Sequence, residues 1–315
     1  MRSCSAARAN EPASTTATKV CIAEILSIHY PEIRCIMSRK WKFIPIGKTG
    51  KILLIMTAQP AIFLPHGAPT FALSPGHAGE AIRNFAASLE KPEAILVISA
   101  HWNTGIPMFG ASPNPQTIHD FWGFPEALYG INYPAKGSPE LARHASKLLN
   151  EAGIAAGIAE GQGLDHGAWI PLRILYPDAT VPVVPLSLQY RNTPEHHYRL
   201  GEALSPLRRE GILIASSGNL THNLSHYRQD AAETPPYVSE FRAWLRKMLL
   251  AKDIGGLLNY RKSAPGALQA HPTDEHLLPL FVALGAAGAD FRTEFIYEGV
   301  YDGSIAMDAF AFHAT

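Results

Sequence analysis

The feature that most limits the possible fold is a regular alternation of short apolar strands and amphipathic helices between residues 61 and 297. The clearest strand is 94–100 (AILVISA), a continuous apolar run typical of strands that are covered on both faces. A helix is predicted over 139–152, with Ser138 as its N-cap and Pro139 at its first position. Alternation of this kind predicts a single α/β domain, with a mostly parallel central sheet flanked by helices.

The other elements are predicted from the same patterns. The prolines within 181–188 lack the N–H that a neighbouring strand would need. They favour a place for this strand at the edge of the sheet, or for the prolines at the end of its hydrogen-bonded ladder. The strand at 291–297 is expected to be the last one of the sheet. The further strands are expected at 61–64, 181–188, 212–216 and 291–297, and the further helices at 80–89, 165–176, 194–209, 238–251 and 275–286.

The first 55 residues differ in composition from the rest of the chain. They carry a net charge of +6 and all three cysteines, whereas residues 56–315 carry a net charge of −6 and 13 of the 14 histidines. We therefore expect residues 1–55 to be an N-terminal extension that is poorly ordered or not part of the native protein. Residues 56–315 are expected to form the functional domain. Without cysteine, that domain cannot hold a Cys-ligated zinc ion or use a cysteine nucleophile.

Charge and hydropathy exclude several classes of function. The 27 basic and 27 acidic residues cancel, so no global field attracts nucleic acid. No apolar run approaches the ~18–20 residues of a membrane-spanning helix, and the chain shows no secretory signal pattern. We expect a cytoplasmic protein, a monomer or a small homo-oligomer, that has neither nucleic acid nor a membrane as a partner.

Three histidines follow predicted strands. His66 and His101 come directly after theirs, and His222 lies in the turn that follows 212–216. The carboxyl ends of strands in an open α/β sheet meet at one crevice. A single histidine in such a position is usually structural, but three of them favour a shared metal site. Imidazole binds zinc, iron, copper and nickel. Two further histidines, His166 and His276, lie near helix starts.

Two other features leave alternatives open. Glu275 stands beside His276, but adjacent residues on a helix point about 100° apart, so only one of the two is expected to be a ligand. The aromatic stretch 120–124 (DFWGF) is either a packed loop or a wall for a flat ring. If it is a wall, we expect the substrate-binding residues to be His119, Phe121 and Trp122.

Six short motifs complete the pattern, and each contains a histidine. In chain order the motifs are PHGAP at 65–69, SAHW at 99–102, TIHDFWGFP at 117–125, LDHG at 164–167, GNLTHNL at 218–224 and PTDEH at 272–276. Together they resemble the DOPA-type extradiol dioxygenases of the class III ring-cleaving superfamily, which includes the catalytic subunit of protocatechuate 4,5-dioxygenase. The resemblance runs from about residue 61 to about residue 304 and leaves residues 1–55 uncovered.

The resemblance implies a site and roles for its residues. His66, His101 and His276 match the ligands of a non-haem metal. His222 matches a residue that acts as acid and base at the metal, and that is also assigned as a ligand in this branch. His166 resembles a catalytic residue that hydrogen-bonds the substrate.

The implied activity is extradiol cleavage of a DOPA-like catechol by O₂. One divalent metal is expected, with Fe(II) implied by ring cleavage. An all-histidine site lacks the negative charge of a two-histidine, one-carboxylate triad and would also suit Zn(II). The alternatives are therefore a zinc hydrolase that activates water, or a catalytically silent metal-binding protein on the same fold.

Overall fold

The computed structural model describes residues 41–46, 51–56, 58–229, 231 and 233–315. The chain divides into two units, Met1–Thr57 and Ala58–Thr315. The described part of the first unit is an antiparallel pair of strands, β1 (Trp41–Ile46) and β2 (Lys51–Met56). The three cysteines and most of the predicted extension 1–55 lie outside the described residues, so the boundary at Met56 stays a prediction.

The second unit is built around one eight-stranded sheet, in the order β6-β5-β7-β4-β8-β3-β12-β9. Its strands are β3 (Ala61–Pro65), β4 (Ala94–Asn103), β5 (Met108–Gly110), β6 (Gly157–Ala159), β7 (Val183–Leu188), β8 (Ile212–Gly218), β9 (Phe291–Tyr297) and β12 (Ala309–Ala314). A separate hairpin consists of β10 (Val300–Tyr301) and β11 (Ile305–Ala306).

Helices and helical turns connect these strands. The helices are α1 (Gly76–Ser88), α2 (Glu126–Tyr129), α3 (Pro139–Glu151), α4 (His166–Leu175), α5 (Pro194–Leu204), α6 (Pro206–Arg209), α7 (Pro236–Ala251), α8 (Ile254–Leu258), α9 (Tyr260–Ser263), α10 (Ala267–Ala270) and α11 (Leu278–Ala287). Two short 3₁₀ turns lie at Pro69–Ala72 and Leu224–His226. In the described part of the chain, no helix is long and apolar enough to cross a membrane.

The centre of the sheet is parallel. β7, β4, β8 and β3 pair in parallel, so their carboxyl ends lie at one edge of the sheet. Antiparallel pairing is confined to the flanks, where β12 joins β3 to β9 and where β5 meets β7. The predicted α/β class with a mostly parallel sheet is thereby confirmed.

Apolar residues of β4 supply both faces of the core. Leu96 and Ile98 belong to one buried cluster, and Ile95 and Val97 to the other. Successive side chains of a strand point to opposite faces, so a strand covered on both sides is apolar throughout. This is the physical basis of the AILVISA run.

Helix α11 is buried along its whole length and packs closely against α5. The two helices can approach because glycines stand at the crossing: a Cβ added at Gly201 or Gly285 would collide with the backbone of the other helix. The buried Arg208 donates to the carbonyls of Gln59 (2.6 Å) and Ala286 (2.7 Å), which ties the far end of α11 to the start of the unit. The position of α11 matters because the helix begins at Leu278, two residues after His276.

Two sheet predictions were wrong. The strand with prolines, β7, lies inside the sheet between β4 and β5 instead of at an edge. Its ladder to β5 consists of one residue pair, Phe109 with Leu186, so few hydrogen bonds depend on the missing N–H of Pro185. The strand at 291–297 is not the last, because β12 follows it and inserts between β3 and β9.

Two helix predictions also need correction. The helix expected over 194–209 is interrupted at Ser205, where Pro206 starts a new turn because it has no N–H to continue the first helix. The helix expected from residue 275 begins only at Leu278. Glu275 and His276 therefore lie in the turn before the helix, and helical geometry does not set the angle between them.

Candidate metal centre

Three histidines meet at the carboxyl edge of the parallel strands. His66 follows β3, His101 lies near the end of β4, and His276 lies in the turn before α11. The Nε2 atoms of His66 and His101 are 3.1 Å apart. One ligand atom from each of the three residues lies within 4.8 Å of the other two. We call these residues the three-histidine cluster.

The geometry of the cluster fits a metal ion. Two imidazole nitrogens bound to one ion at ~2.1 Å, at angles of 90° to 109°, are roughly 3.0–3.4 Å apart. The separation of 3.1 Å between the two Nε2 atoms falls within this range. Three histidine nitrogens form a donor set suited to zinc, iron and similar metals.

Electrostatics keep these histidines neutral. Burial, reinforced by the neighbouring histidines, holds the pKa values of His66 and His276 well below the ordinary value. Burial and His166 lower the pKa of His101 to about 3. Neutral imidazoles carry the lone pairs that a metal needs, so the cluster is ready to bind a cation at neutral pH.

Each histidine of the cluster has a polar neighbour at Nδ1. Nδ1 of His66 forms a hydrogen bond of 2.9 Å with Ser217 Oγ, and Nδ1 of His276 one of 3.2 Å with Glu275 Oε1. Nδ1 of His101 lies 3.9 Å from Asp120 Oδ2. Partners of this kind orient an imidazole so that its other nitrogen faces the metal.

Backbone contacts hold the cluster together. The N–H of His66 donates to the carbonyl of Gly218 (3.2 Å), and the N–H of Asn219 donates to the carbonyl of His276 (3.0 Å). A Cβ at Gly218 would collide with that same carbonyl of His276. The glycine of the GNLTHNL motif is thus needed for close approach of two chain segments.

The glycine of the LDHG motif has a similar role. A Cβ added at Gly167 would collide with Ser99 Oγ and would lie 2.8 Å from Cδ2 of His101. The start of α4 can therefore lie directly against β4, which brings His166 to the cluster. Asp165 caps α4 by accepting from the N–H of Ala168 (3.1 Å), and it also accepts a hydrogen bond from Ser99.

His222 lies beside the three-histidine cluster, with its ring parallel to that of His276. Its ring stacks face to face on that of His276, with centroids 3.4 Å apart and planes inclined by 9°. Burial lowers its pKa to about 4. Its backbone N–H donates to the carbonyl of Ala270 (2.8 Å), which fixes the loop after β8.

His166 joins the site from the opposite side. Its ring centroid is 3.9 Å from that of His101 and 5.5 Å from that of His66. Asp120 Oδ1 accepts from the backbone N–H of His166 (2.8 Å) and lies 3.0 Å from its Nδ1. Burial would raise the pKa of Asp120, but its hydrogen bonds with His166 outweigh burial and leave that pKa below the ordinary value.

The aromatic loop divides between the site and the solvent. Phe121 is buried, and its ring meets that of His166 edge to face at 5.6 Å. His119 packs on Phe121 and Trp169, and its Nε2 forms a hydrogen bond of 2.9 Å with the carbonyl of Ile131. Trp122 is 86% exposed. The structure thus places Phe121 against His166, places His119 behind Phe121, and leaves Trp122 in solvent.

Two residues of the site were missed in the sequence. Asp120 stands inside the TIHDFWGFP motif beside the predicted His119, and its acidic character in an aromatic stretch was the available signal. Ser217 had no such signal, because its contact with His66 joins residues 151 positions apart in the chain.

A mostly parallel sheet with a histidine cluster at its carboxyl edge, beside a loop of aromatic residues, fits a metal-dependent α/β enzyme. The comparisons with known proteins specify which one. The family model described as the catalytic LigB subunit of aromatic ring-opening dioxygenase matches residues 60–310. The chain belongs to this family, whose dioxygenases are metal-dependent.

The names of curated relatives agree with the family. A 4,5-DOPA dioxygenase extradiol from Beta vulgaris is 39% identical over 82% of this chain and 97% of its own length. The protein of the same name from Escherichia coli K12 is 37% identical over 81% and 95%. One from Mirabilis jalapa is 43% identical over 66% and 78%.

A solved structure supports the fold. The crystal structure of an uncharacterized protein from Escherichia coli K12 matches with a TM-score of 0.67 and 30% identity, covering 80% of this chain and 99% of that one.

The protein is therefore an extradiol ring-cleaving dioxygenase that acts on an aromatic substrate with O₂. The resemblance inferred from the six motifs is confirmed, and the comparisons favour it over a zinc hydrolase.

Proposed function

We propose that this dioxygenase opens the ring of a DOPA-like catechol, with its metal held by His66, His101 and His276. The observation that carries the proposal is the 3.1 Å separation of two Nε2 atoms within a cluster of neutral histidines, of which His66 and His276 are buried and His101 is partly buried. The substrate class is supported by the relatives from Beta vulgaris and Escherichia coli, whose names specify DOPA.

The proposed metal is Fe(II). The three-histidine donor set would also suit Zn(II), so the choice depends on the reaction, because zinc has no redox chemistry. When bound, Fe(II) would supply the electron transfer that allows O₂ to react with an aromatic ring. Three protein ligands leave coordination positions open for the substrate and O₂.

His222 is proposed as an acid and base, not as a ligand. The lone pair of an imidazole lies in the plane of its ring. Because the rings of His222 and His276 are stacked 3.4 Å apart and nearly parallel, their nitrogen lone pairs lie in separate parallel planes and do not converge on one point, so the two residues would not both hold the same ion. His222 remains close enough to accept a proton from a bound substrate and to return it later.

His166 is proposed to hold a substrate oxygen. The carboxylate of Asp120, 3.0 Å from Nδ1, favours the tautomer with the proton on that nitrogen. Nε2 is then an acceptor for a catechol hydroxyl. Phe121, edge to face with His166, is proposed as part of the wall against which the ring lies. Roles for His119 and Trp122 in substrate binding stay predictions, as do the cytoplasmic location and the oligomeric state.

Ring cleavage can be tested directly. The protein is loaded with Fe(II) under anaerobic conditions, mixed with L-DOPA, and exposed to ¹⁸O₂. We expect a yellow ring-fission product that carries both atoms of ¹⁸O₂, and its NMR spectrum identifies the bond that is cut.

Zn(II)-loaded protein and the monophenol tyrosine serve as controls. Neither is expected to give the product, because zinc is redox-inert and tyrosine lacks the second hydroxyl. Equal activity with zinc, or none with iron, would contradict the proposal.

We also propose that residues 56–315 form the functional domain and that residues 1–55 are dispensable. The family match begins at residue 60, which supports this division. A chain starting at Met56 is expected to keep its metal content and its melting temperature.

The comparison for that truncation is a chain starting at Ala61. This chain lacks Gln59, whose carbonyl accepts from Nε of the buried Arg208. This shorter chain is expected to melt at a lower temperature, since a buried donor loses its partner. A marked loss of stability already in the Met56 chain would show that the extension is part of the fold.

A further inference from the structure

The three-histidine cluster has no negatively charged ligand. A two-histidine, one-carboxylate triad brings one negative charge to its metal, whereas three neutral imidazoles bring none. Negative charge can also reach the metal indirectly, from a carboxylate that accepts a hydrogen bond from the other ring nitrogen of a ligating histidine. Two carboxylates of this site lie near such nitrogens, Asp120 beside His101 at 3.9 Å and Glu275 beside His276 at 3.2 Å.

Of these two contacts, the one at Glu275 is the hydrogen bond. Oε1 of Glu275 is the atom that meets Nδ1 of His276, and it also accepts from the hydroxyl of Thr273 (2.9 Å). The side chain of Glu275 is 24% exposed and that of His276 only 6%, so the contact is largely shielded from solvent. With Nδ1 occupied in this way, Nε2 is the nitrogen that is left for a metal.

We propose that Glu275 is a positioning residue that fixes the tautomer of His276 and supplies, through that imidazole, negative charge to the metal centre. This inference rests on the proposed function, because it takes His276 as a ligand. A carboxylate that accepts a hydrogen bond from Nδ1–H makes Nε2 a stronger electron-pair donor to a metal. The added charge stabilises a more highly charged ion more strongly, and therefore favours Fe(III) relative to Fe(II).

Glu275→Gln separates the charge from the hydrogen bond. The amide keeps an oxygen that can accept from Nδ1 of His276 but carries no charge, whereas Glu275→Ala removes both. Glu240→Gln, at an exposed position of α7, is the matched control for the loss of one negative charge. His276→Ala gives the reference for the loss of a ligand.

The measurements are Fe(II) affinity, by anaerobic competition with a chelator, and the midpoint potential of the bound iron. We expect Glu275→Gln to weaken Fe(II) binding by about 10–100-fold and to raise the potential. A tenfold greater loss for Fe(III) than for Fe(II) corresponds to a rise of about 59 mV. Glu240→Gln should match the original protein in Fe(II) affinity and in midpoint potential. The metal-free forms of Glu275→Gln, Glu240→Gln and the original protein should have the same melting temperature.

Two results would overturn the inference. Unchanged affinity and potential in Glu275→Gln would show that the carboxylate supplies no charge to the metal. A loss as complete as in His276→Ala would make Glu275 itself a ligand. Neither result is confused with failure of the proposed site, because that failure would appear as retained metal in His66→Ala and His101→Ala measured in the same assay.

Discussion

Replacing His66 or His101 by alanine is expected to abolish stoichiometric metal binding and, with it, ring cleavage. Their Nε2 atoms are 3.1 Å apart, so each variant removes one of two donors that face the same point. The loss of metal affinity should exceed the ~10–100-fold expected when a residue that only hydrogen-bonds a ligating histidine is replaced. The reason is that the remaining two histidines cannot complete a three-donor site. Metal content after dialysis, measured by elemental analysis, checks the first part, and the ¹⁸O₂ assay checks the second.

His144→Ala is the matched control for these variants. His144 lies on α3 and pairs with Glu210 at 3.1 Å, away from the carboxyl edge of the sheet. It should retain both metal and turnover. Because His66 is buried and bonded to Ser217, a thermal melt of each metal-free variant is needed to show that it is folded. Full metal content in folded His66→Ala and His101→Ala would refute the proposed ligand set.

Replacing His166 by glutamine or phenylalanine is expected to lower kcat by ~10²–10⁴-fold, the usual contribution of a general acid or base. Metal affinity should stay nearly unchanged, because His166 is proposed to hold a substrate oxygen. Asp120→Asn should lower kcat in the same direction but less, since it leaves the imidazole of His166 in place and removes only the charge of the carboxylate beside it. Steady-state kinetics and Fe(II) affinity of the three variants test this order.

A purely structural role for His166 predicts a different outcome. The helix α4 does not need His166 as its cap, because the side chain of Asp165 already accepts from the N–H of Ala168. His166 is nonetheless 6% exposed and packed against His101, so its loss can affect stability. If His166→Gln lowers the melting temperature but leaves kcat of the folded fraction unchanged, His166 is not part of the chemistry. His119 would then be the next histidine to test.

Much of the architecture could be predicted because it is encoded locally. The apolar run of β4, the cap and proline of α3, and the exact span of β9 each depend on residues next to one another in the chain. The same holds for the placement of His66 and His101, because a residue that ends a parallel strand necessarily lies at the carboxyl edge of the sheet.

Local sequence patterns could not predict which strands pair with one another. The insertion of β12 between β3 and β9, and the interior position of β7, depend on which segments meet after the chain has folded. A proline disfavours an interior strand only where its N–H would have been needed. Whether it is needed depends on the neighbouring strand, which here is the short β5.

Sequence alone therefore determined the fold class and the family, and it indicated which histidines belong to the proposed site, since strand patterns and motifs are properties of contiguous residues. Only the tertiary structure decided how those histidines are oriented. The stacking of His222 on His276, the hydrogen bond between His66 and Ser217, and the carboxylates of Asp120 and Glu275 beside the imidazoles all fix ring planes and tautomers. Most of these contacts join residues far apart in the chain. Their geometry depends on packing at the carboxyl edge of the sheet, which no local pattern encodes.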